Sequence, residues 1–383
     1  MTDLLIIGSS YPLPKAGGSI NYVYNVLSGA IPDNISVSIL TANKEGESNT
    51  EFDKANPFHV YRSKYFYHVL ERDRGSFIKR RIYLLLQILV ASYYILKLKP
   101  KVVMYTEYTF VCLSALLTSF CNYKLGLFTY AEEIQLYMRR RPHLLFLRKL
   151  LRKCDIVITV CDYTKDMLCR LGCDETIIKV IIPPIPYVGE YQKKQNTGKG
   201  TFDILTVGRL EERKGQIQVI EALPEIIKQY PNVRYHIVGG GPMHDSIAKS
   251  IEELSLGTVV KMWGRVDDDQ LIELYESSDL FIMPHRELPN GDTEGCPTVF
   301  LEASYFALPV IGGKAGGVSN AIIDGETGFI IDPQVEIIRE TVCKLLEKPS
   351  LCNVYGENGH RFSIGFTKDK QSEQFYRIIN SYL

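Results

Sequence analysis

Short, continuous apolar runs alternate with longer amphipathic stretches along this 383-residue chain. LLIIG (4–8), KVVMYT (101–106), KLGLFTY (124–130) and DIVITV (155–160) read as parallel strands buried on both faces. Stretches of helical period separate them, and this βαβ rhythm predicts a parallel sheet with helices on both sides. The rhythm lapses over 183–200, PPIPYVGEYQKKQNTGKG, a segment rich in Pro, Gly, Lys and Gln that reads as a linker. It resumes with DILTVG (203–208), VRYHIVG (233–239), VVKMWG (259–264), DLFIMP (279–284), PVIGG (309–313) and GFIID (328–332). The last segment spaces Phe375, Ile378, Ile379 and Leu383 along one helix face. The pattern predicts an α/β chain of two doubly wound, Rossmann-like parallel-sheet domains facing a cleft. Their bounds are 1–185 and 201–365, with a linker at 186–200 and a closing helix at 366–383. In such sheets ligands sit beyond the carboxyl ends of the strands, so chemistry is to be sought in the loops that follow them.

Composition narrows the class. Apolar residues make up 45% and charged residues 23%, which is globular. The nine cysteines include no C-x-x-C pair, so no zinc knuckle or thioredoxin-type site is written here, and scattered thiols suit a reducing cytoplasm. The start, MTDLLIIGSS, lacks the basic region of a signal peptide. The longest uncharged stretches, 82–96 and 108–123, hold 15 and 16 residues. Both fall short of the roughly 18 to 20 of a spanning helix, so a soluble chain is expected. Net charge is zero, yet residues 1–190 carry 24 Lys and Arg against 17 Asp and Glu, while 191–383 carry 20 against 27. A basic first half and an acidic second half suggest different partners.

Four loops could carry chemistry. In GRLEERKG (208–215), Arg209 and Lys214 flank a turn before a helix start, a ready site for a diphosphate, although a solvated charged loop has the same composition. VGGGPM (238–243) lets backbone approach a ligand closely, but it is not a dinucleotide fingerprint, since His244 stands where the last glycine would be. Gly17 and Gly18 precede an amphipathic stretch in SSYPLPKAGGSINYVYNVL (9–27), a second phosphate-compatible helix start. The richest loop is DTEGCPTVFLEA (292–303). Glu294 and Glu302 stand eight positions apart, a little over two helical turns, and would share a face if Glu294 sat at the helix entrance. Gly295, Pro297 and Thr298 suit a helix start whose N–H groups bind sugar or phosphate oxygens. Glu302 suits a vicinal diol. A glycosidase acid–base pair and an ordinary acidic helix start are the competing readings. In VDDDQ (266–270) the Asp triplet could hold Mg²⁺, but helix capping is the favoured reading.

Taken in order, these loops resemble the retaining glycosyltransferases of family 4, which have the GT-B fold, and in particular the bacterial branch with phosphatidylinositol mannoside mannosyltransferases. The resemblance rests on the P-x₄-GG region, GRLEERKG, VGGGP, GRVDDDQL and the E-x₇-E motif, and it covers nearly the whole chain. It implies that the first domain binds the acceptor, the second binds the nucleotide sugar, and the closing helix crosses back to the first. It implies catalytic roles for Arg209, Lys214 and Glu294, with the two cations neutralising the donor diphosphate. Donor contacts would come from Gly17, Gly18, Gly208, Gly240, Val266, Gly295, Cys296, Pro297, Thr298 and Glu302, with Val266 at the base and Glu302 at the ribose. No metal and no cofactor are implied. Lys214→Ala is then expected to abolish transfer with the fold intact.

One position departs from the family pattern. Where T-H-G-x-E is common, this chain reads Thr129, Tyr130, Ala131, Glu132, Glu133. Tyr130 replaces the His and Glu133 keeps the acidic position, so both are candidates for acceptor or sugar contact. RRRPHLLFLRKLLRK, from Arg139 to Lys153, alternates cations with Leu and Phe as an interfacial helix would, or as a helix packed on a sheet would. The expected partners are therefore a nucleotide-diphosphate sugar, a saccharide or lipid-linked acceptor and a membrane surface, with no nucleic acid. The expected location is cytoplasmic, peripheral at the inner face of the membrane. The competing functions are a nucleotide-sugar 2-epimerase of the same fold and a catalytically inactive nucleotide-sugar-binding protein.

Overall fold

A computed structural model of the chain describes residues 2–8, 18–42, 50–65, 77–108, 121–131, 134–135, 141–187, 191 and 200–383. The chain divides into two compact units, Met1–Pro184 with Lys368–Leu383, and Ile185–Thr367. Most of the expected linker lies outside the described residues.

The first unit is built on a seven-stranded parallel sheet in the order β3-β2-β1-β4-β5-β6-β7. The strands are β1 (Leu4–Ile7), β2 (Val37–Ala42), β3 (His59–Ser63), β4 (Val102–Tyr105), β5 (Lys124–Thr129), β6 (Ile156–Thr159) and β7 (Ile178–Val180). Its helices include α1 (Gly18–Leu27), α2 (Thr50–Ala55), α3 (Phe77–Leu98), α4 (Arg141–Leu151) and α5 (Asp162–Arg170). The chain order moves outward from β1 to β3, then returns to the other side of β1 for β4 to β7. With right-handed crossovers this places α3, α4 and α5 on one face of the sheet. Ala91 and Ile95 of α3, Leu147 and Leu150 of α4 and Leu168 of α5 accordingly share one buried core with Val103, Leu125 and Val157.

The second unit repeats the design with six parallel strands in the order β10-β9-β8-β11-β12-β13. These are β8 (Phe202–Val207), β9 (Val233–Val238), β10 (Val260–Gly264), β11 (Leu280–Met283), β12 (Val310–Gly313) and β13 (Gly328–Ile331). They alternate with α6 (Gln216–Gln229), α7 (His244–Glu253), α8 (Asp268–Ser277) and α9 (Val299–Tyr305), followed by α10 (Val335–Glu347) and α11 (Pro349–Ser363). The strand order reverses between β8 and β11, which creates a crevice at their carboxyl ends.

Every continuous apolar run noted above forms a strand, while β2, β3 and β7 carry weaker patterns. Ser38 and Thr41 interrupt β2, although all six of its residues are buried, and the Ser38 hydroxyl is satisfied by that of Thr2 at 2.9 Å. β3 and β7 are edge strands, half-buried and short, so nothing forces their side chains to be uniformly apolar.

The last helix, α12 (Lys368–Asn380), belongs to the first unit. Phe375 stacks on Phe128 with ring centroids 5.8 Å apart, and the Tyr376 hydroxyl donates to the Leu27 carbonyl at 2.8 Å. Phe375→Ala should lower the stability of this unit by about 3–5 kcal/mol, read as an earlier transition in urea. Glu373→Ala, which removes only an exposed partner of Lys370, should stay within about 0.5 kcal/mol.

Candidate active site

The loops after β8, β9 and β10 are stitched together by backbone hydrogen bonds. Gly208 N–H donates to Val238 O at 3.0 Å, Gly239 N–H to Gly264 O at 2.7 Å, and Leu210 N–H to Gly240 O at 3.2 Å. Gly208 and Gly240 therefore sit on a seam at the sheet's carboxyl edge. Val266 follows two residues after the end of β10 and is half-buried.

The loop after β8 turns through a short 3-10 segment, Glu212–Lys214, and ends at Gly215. Gly215 has φ +78°, and a Cβ there would lie 2.3 Å from Pro284 O, so only glycine lets this loop close on the end of β11. The closure delivers Lys214 to Glu294. Its ammonium is ion-paired to the Glu294 carboxylate, and the two side chains are only 10% and 14% exposed. Arg213 adds a second cation, with Nε 3.7 Å from the same carboxylate oxygen, and is itself paired to Glu211. Arg209 behaves differently: its side chain is 70% exposed, with one contact to Glu211 at 3.1 Å. One cation is thus locked inward and another stands outward on the same loop.

Burial pushes the Glu294 carboxyl up, but Lys214, Arg213 and His285 outweigh it and hold it below the ordinary carboxylate range. His285 is fully buried, and burial is the largest influence in pushing its pKa down. Its Nδ1 lies 3.2 Å from Met283 O and its Nε2 3.0 Å from Ala315 O, so the ring ties the end of β11 to the loop after β12. That second loop grips Glu294 from behind. Gly317 N–H donates to Glu294 O at 3.3 Å, and Gly316 (φ +53°) approaches so closely that a Cβ would lie 1.7 Å from that oxygen.

Glu294 and Glu302 do not share a helix. α9 begins at Val299 with Thr298 as its cap, so Glu294 lies in the loop before it, and the eight-residue spacing is not two helical turns. Gly295, Cys296 and Pro297 form the connection, and Thr298 N–H donates to Cys296 O at 3.0 Å. Glu302 lies inside α9 with its own partners: Oε2 accepts from the Tyr275 hydroxyl at 3.2 Å, and Oε1 from the Thr298 hydroxyl at 3.4 Å. Burial pushes its carboxyl above the ordinary range, opposed by those two hydrogen bonds. Of the Asp triplet, Asp267 caps α8, accepting from Gln270 N–H at 2.9 Å, which is the capping reading.

The candidate residues of the first unit are described less completely. Gly17 and Glu133 lie outside the described residues, as does the stretch from Arg139 to Arg140. Gly18 opens α1. Tyr130 follows β5, half-buried, with its ring edge-on to Tyr22 at 5.8 Å. Sequence reasoning did not single out Arg213, Tyr275 or His285. Arg213 stood within the quoted basic loop, whereas Tyr275 looked like one more apolar position of an amphipathic helix. His285 carried no signal beyond its place after a strand.

Residues 188–362 match the family model described as glycosyl transferases group 1, and residues 16–186 match that of glycosyltransferase family 4. A GDP-mannose-dependent alpha-(1-6)-phosphatidylinositol monomannoside mannosyltransferase of Mycolicibacterium smegmatis is 32% identical over 42% of this chain and 43% of its own length. The chain spans about half the length of the curated relatives it matches. Two solved structures align along the full length. HepE of Anabaena in complex with UDP has TM-score 0.74 and 17% identity, covering 100% of both chains. Sucrose-phosphate synthase of Thermosynechococcus elongatus has TM-score 0.73 and 18% identity, covering 100% of this chain and 99% of its own. The fold is the two-domain GT-B architecture, and the chain belongs to glycosyltransferase family 4.

The buried pair changes what Lys214→Ala should do. Removing the ammonium leaves Glu294 without its main partner, which should destabilise the second unit by about 3–5 kcal/mol. The neutral double variant Lys214→Met/Glu294→Gln should recover most of that in urea unfolding. A second expectation follows from Glu302. Its folded pKa is raised, so stability is greatest below the unfolded pKa, where the carboxyl is neutral in both states, and is lost as pH rises through the folded value. Glu302→Gln should remove that decline, leaving the variant at least as stable as wild type at neutral pH.

Proposed function

We propose that the chain is a retaining hexosyltransferase. It moves a sugar from a UDP- or GDP-linked donor to a hydroxyl of a saccharide or lipid-linked acceptor, as in cell-surface polysaccharide or glycolipid synthesis. The reading is carried by the loop after β8, which buries Lys214 against Glu294 and leaves Arg209 extended beside it. Cleaving a sugar–phosphate bond builds positive charge at the anomeric carbon and negative charge on the departing nucleotide. Lys214 and Arg209 stabilise that negative charge in place of a metal ion. The Glu294 carboxylate keeps Lys214 charged and oriented, and it accepts hydrogen bonds from hydroxyls of the donor sugar together with the backbone of Gly295 to Thr298. Glu302, which among the described residues accepts from the Tyr275 and Thr298 hydroxyls, takes the ribose diol. The base lies against Val266, with the backbone at Gly208 and Gly240 next to the phosphates.

The acceptor hydroxyl attacks from the face the nucleotide leaves, which preserves the anomeric configuration. Tyr130 takes the sugar contact that a His provides in much of the family. The mannosyltransferase relative is named for GDP-mannose and a phosphatidylinositol acceptor, and HepE for its complex with UDP, which supports both donor bases and a lipid acceptor. The enzyme works in the cytoplasm, with α4 touching the inner face of the membrane through its cationic end, Arg148 and Lys149.

Thermal-shift measurement with UDP, GDP and their sugar derivatives, in EDTA and then with Mg²⁺, tests this reading. At 100 times its Kd a bound nucleotide adds ~2.7 kcal/mol of stability. One nucleotide family should stabilise the protein in EDTA, and Arg209→Ala should shrink the shift. A shift seen only with Mg²⁺ would rule out the metal-free reaction, and no shift with any nucleotide would rule out the donor site.

A further inference from the structure

α3 presents an anomaly. It holds 22 residues, and between Arg81 and Lys97 it carries no charge. A helix apolar on all sides is normally enclosed. Here one side is: Gln87, Ala91 and Ile95 are buried against the sheet. The opposite side is not. Ile82, Leu85, Leu89, Tyr93 and Leu96, spaced by three or four residues, are each between 51% and 64% exposed. They form an outward stripe about 21 Å long at the α-helical rise. Beside the stripe, the Ser92 hydroxyl is turned back on the Ile88 carbonyl at 2.7 Å.

We infer that this stripe is a seat for an anionic bilayer surface, with α3 lying in the plane of the interface. The charges at its two ends decide between occupants. Lys79, Arg80 and Arg81 occupy the first turns, and Lys97, Lys99 and Lys101 stand at or just beyond the other end, Lys101 being shared with Asp3 at 2.9 Å. A second copy laid along the stripe, parallel or antiparallel, would bring a cationic end against a cationic end. Anionic headgroups complement both ends at once. Lys97 also reaches over the exposed Tyr93 ring, 5.5 Å from its centroid, so that a cation and an amphipathic ring share one end of the stripe, as at a membrane–water boundary. On the same face of the sheet, α4 also exposes Leu145 beside Arg148 and Lys149. Among the described residues no helix is long and apolar enough to cross a membrane, so α3 lies on the bilayer. The inference deepens the membrane reading above, moving the main contact from α4 to α3.

The test is vesicle flotation of the full chain with phosphatidylcholine alone and with phosphatidylcholine–phosphatidylglycerol mixtures. Wild type should float with the anionic vesicles, and raised salt should weaken it. The variant Leu85→Gln/Leu89→Gln/Leu96→Gln, at exposed positions that leave the core untouched, should lose at least about tenfold in partitioning. Leu145→Gln should lose less. In a Trp263→Phe background, Tyr93→Trp should show a blue-shifted emission on adding anionic vesicles. Loss with Leu145→Gln but not with the α3 variant would overturn the α3 seat and leave the α4 contact standing. A wild type that floats with neither vesicle would remove both. A wild-type dimer in sedimentation that the α3 variant abolishes would assign the stripe to a second copy, and binding to an acidic protein but not to vesicles would assign it to a protein partner.

Discussion

The second unit turns on one buried ion pair. Lys214 and Glu294 are both nearly enclosed, and an ionised group taken out of water alone costs several kcal/mol, so each tolerates burial only because the other is there. The pair binds the loop after β8 to the loop after β11, and several other features serve the same closure. Gly215 makes the close approach to Pro284 possible, Arg286 N–H donates to Arg213 O at 2.8 Å, and His285 carries the connection on to Ala315. A cation placed in this way needs no rearrangement when negative charge develops beside it, which is the condition for electrostatic stabilisation of a leaving diphosphate.

The carboxyls of Glu294 and Glu302 are shifted in opposite directions. Cations hold Glu294 below the ordinary carboxylate range despite its burial, whereas among the described residues the Tyr275 and Thr298 hydroxyls offset the burial of Glu302 without outweighing it. A bound diol would bring further donors to Glu302 and favour its ionised form, so ligand and proton compete there. In the function proposed above, Glu294 would then be a fixed anion that orients a cation, and Glu302 an acid suited to hydroxyl groups. Divergent environments of this kind separate the roles of two identical side chains.

Much of the fold was legible because strands buried on both faces are mostly apolar and each continuous apolar run became a strand, whereas β2 hides Ser38 and Thr41 by satisfying them locally. The edge strands β3 and β7 escaped because a half-exposed strand is under no such demand. The loops of chemical interest were legible from glycines and cations placed after strands. Their internal arrangement was not. Helical spacing suggested that Glu294 and Glu302 share a face, but the backbone stays irregular until Thr298 caps the helix, which leaves Glu294 outside it. The burial of Lys214 depends on Gly215 meeting a carbonyl about 70 positions later in the chain, a contact no local pattern encodes. Likewise the 15-residue uncharged run in α3 was plain, while the outward stripe of Ile82, Leu85, Leu89, Tyr93 and Leu96 required the tertiary structure.

Calorimetric titration in EDTA of UDP and GDP into wild type and into the neutral Lys214→Met/Glu294→Gln protein tests the central claim most directly. The pair is held to be a binding device as well as a structural one. Wild type should then bind one of the two nucleotides, and the neutral protein, still folded, should bind it about 10- to 100-fold more weakly, as expected for losing a hydrogen bond to a charged group. Equal affinity in the two proteins would show that the pair only holds the loops together and that the diphosphate lies elsewhere.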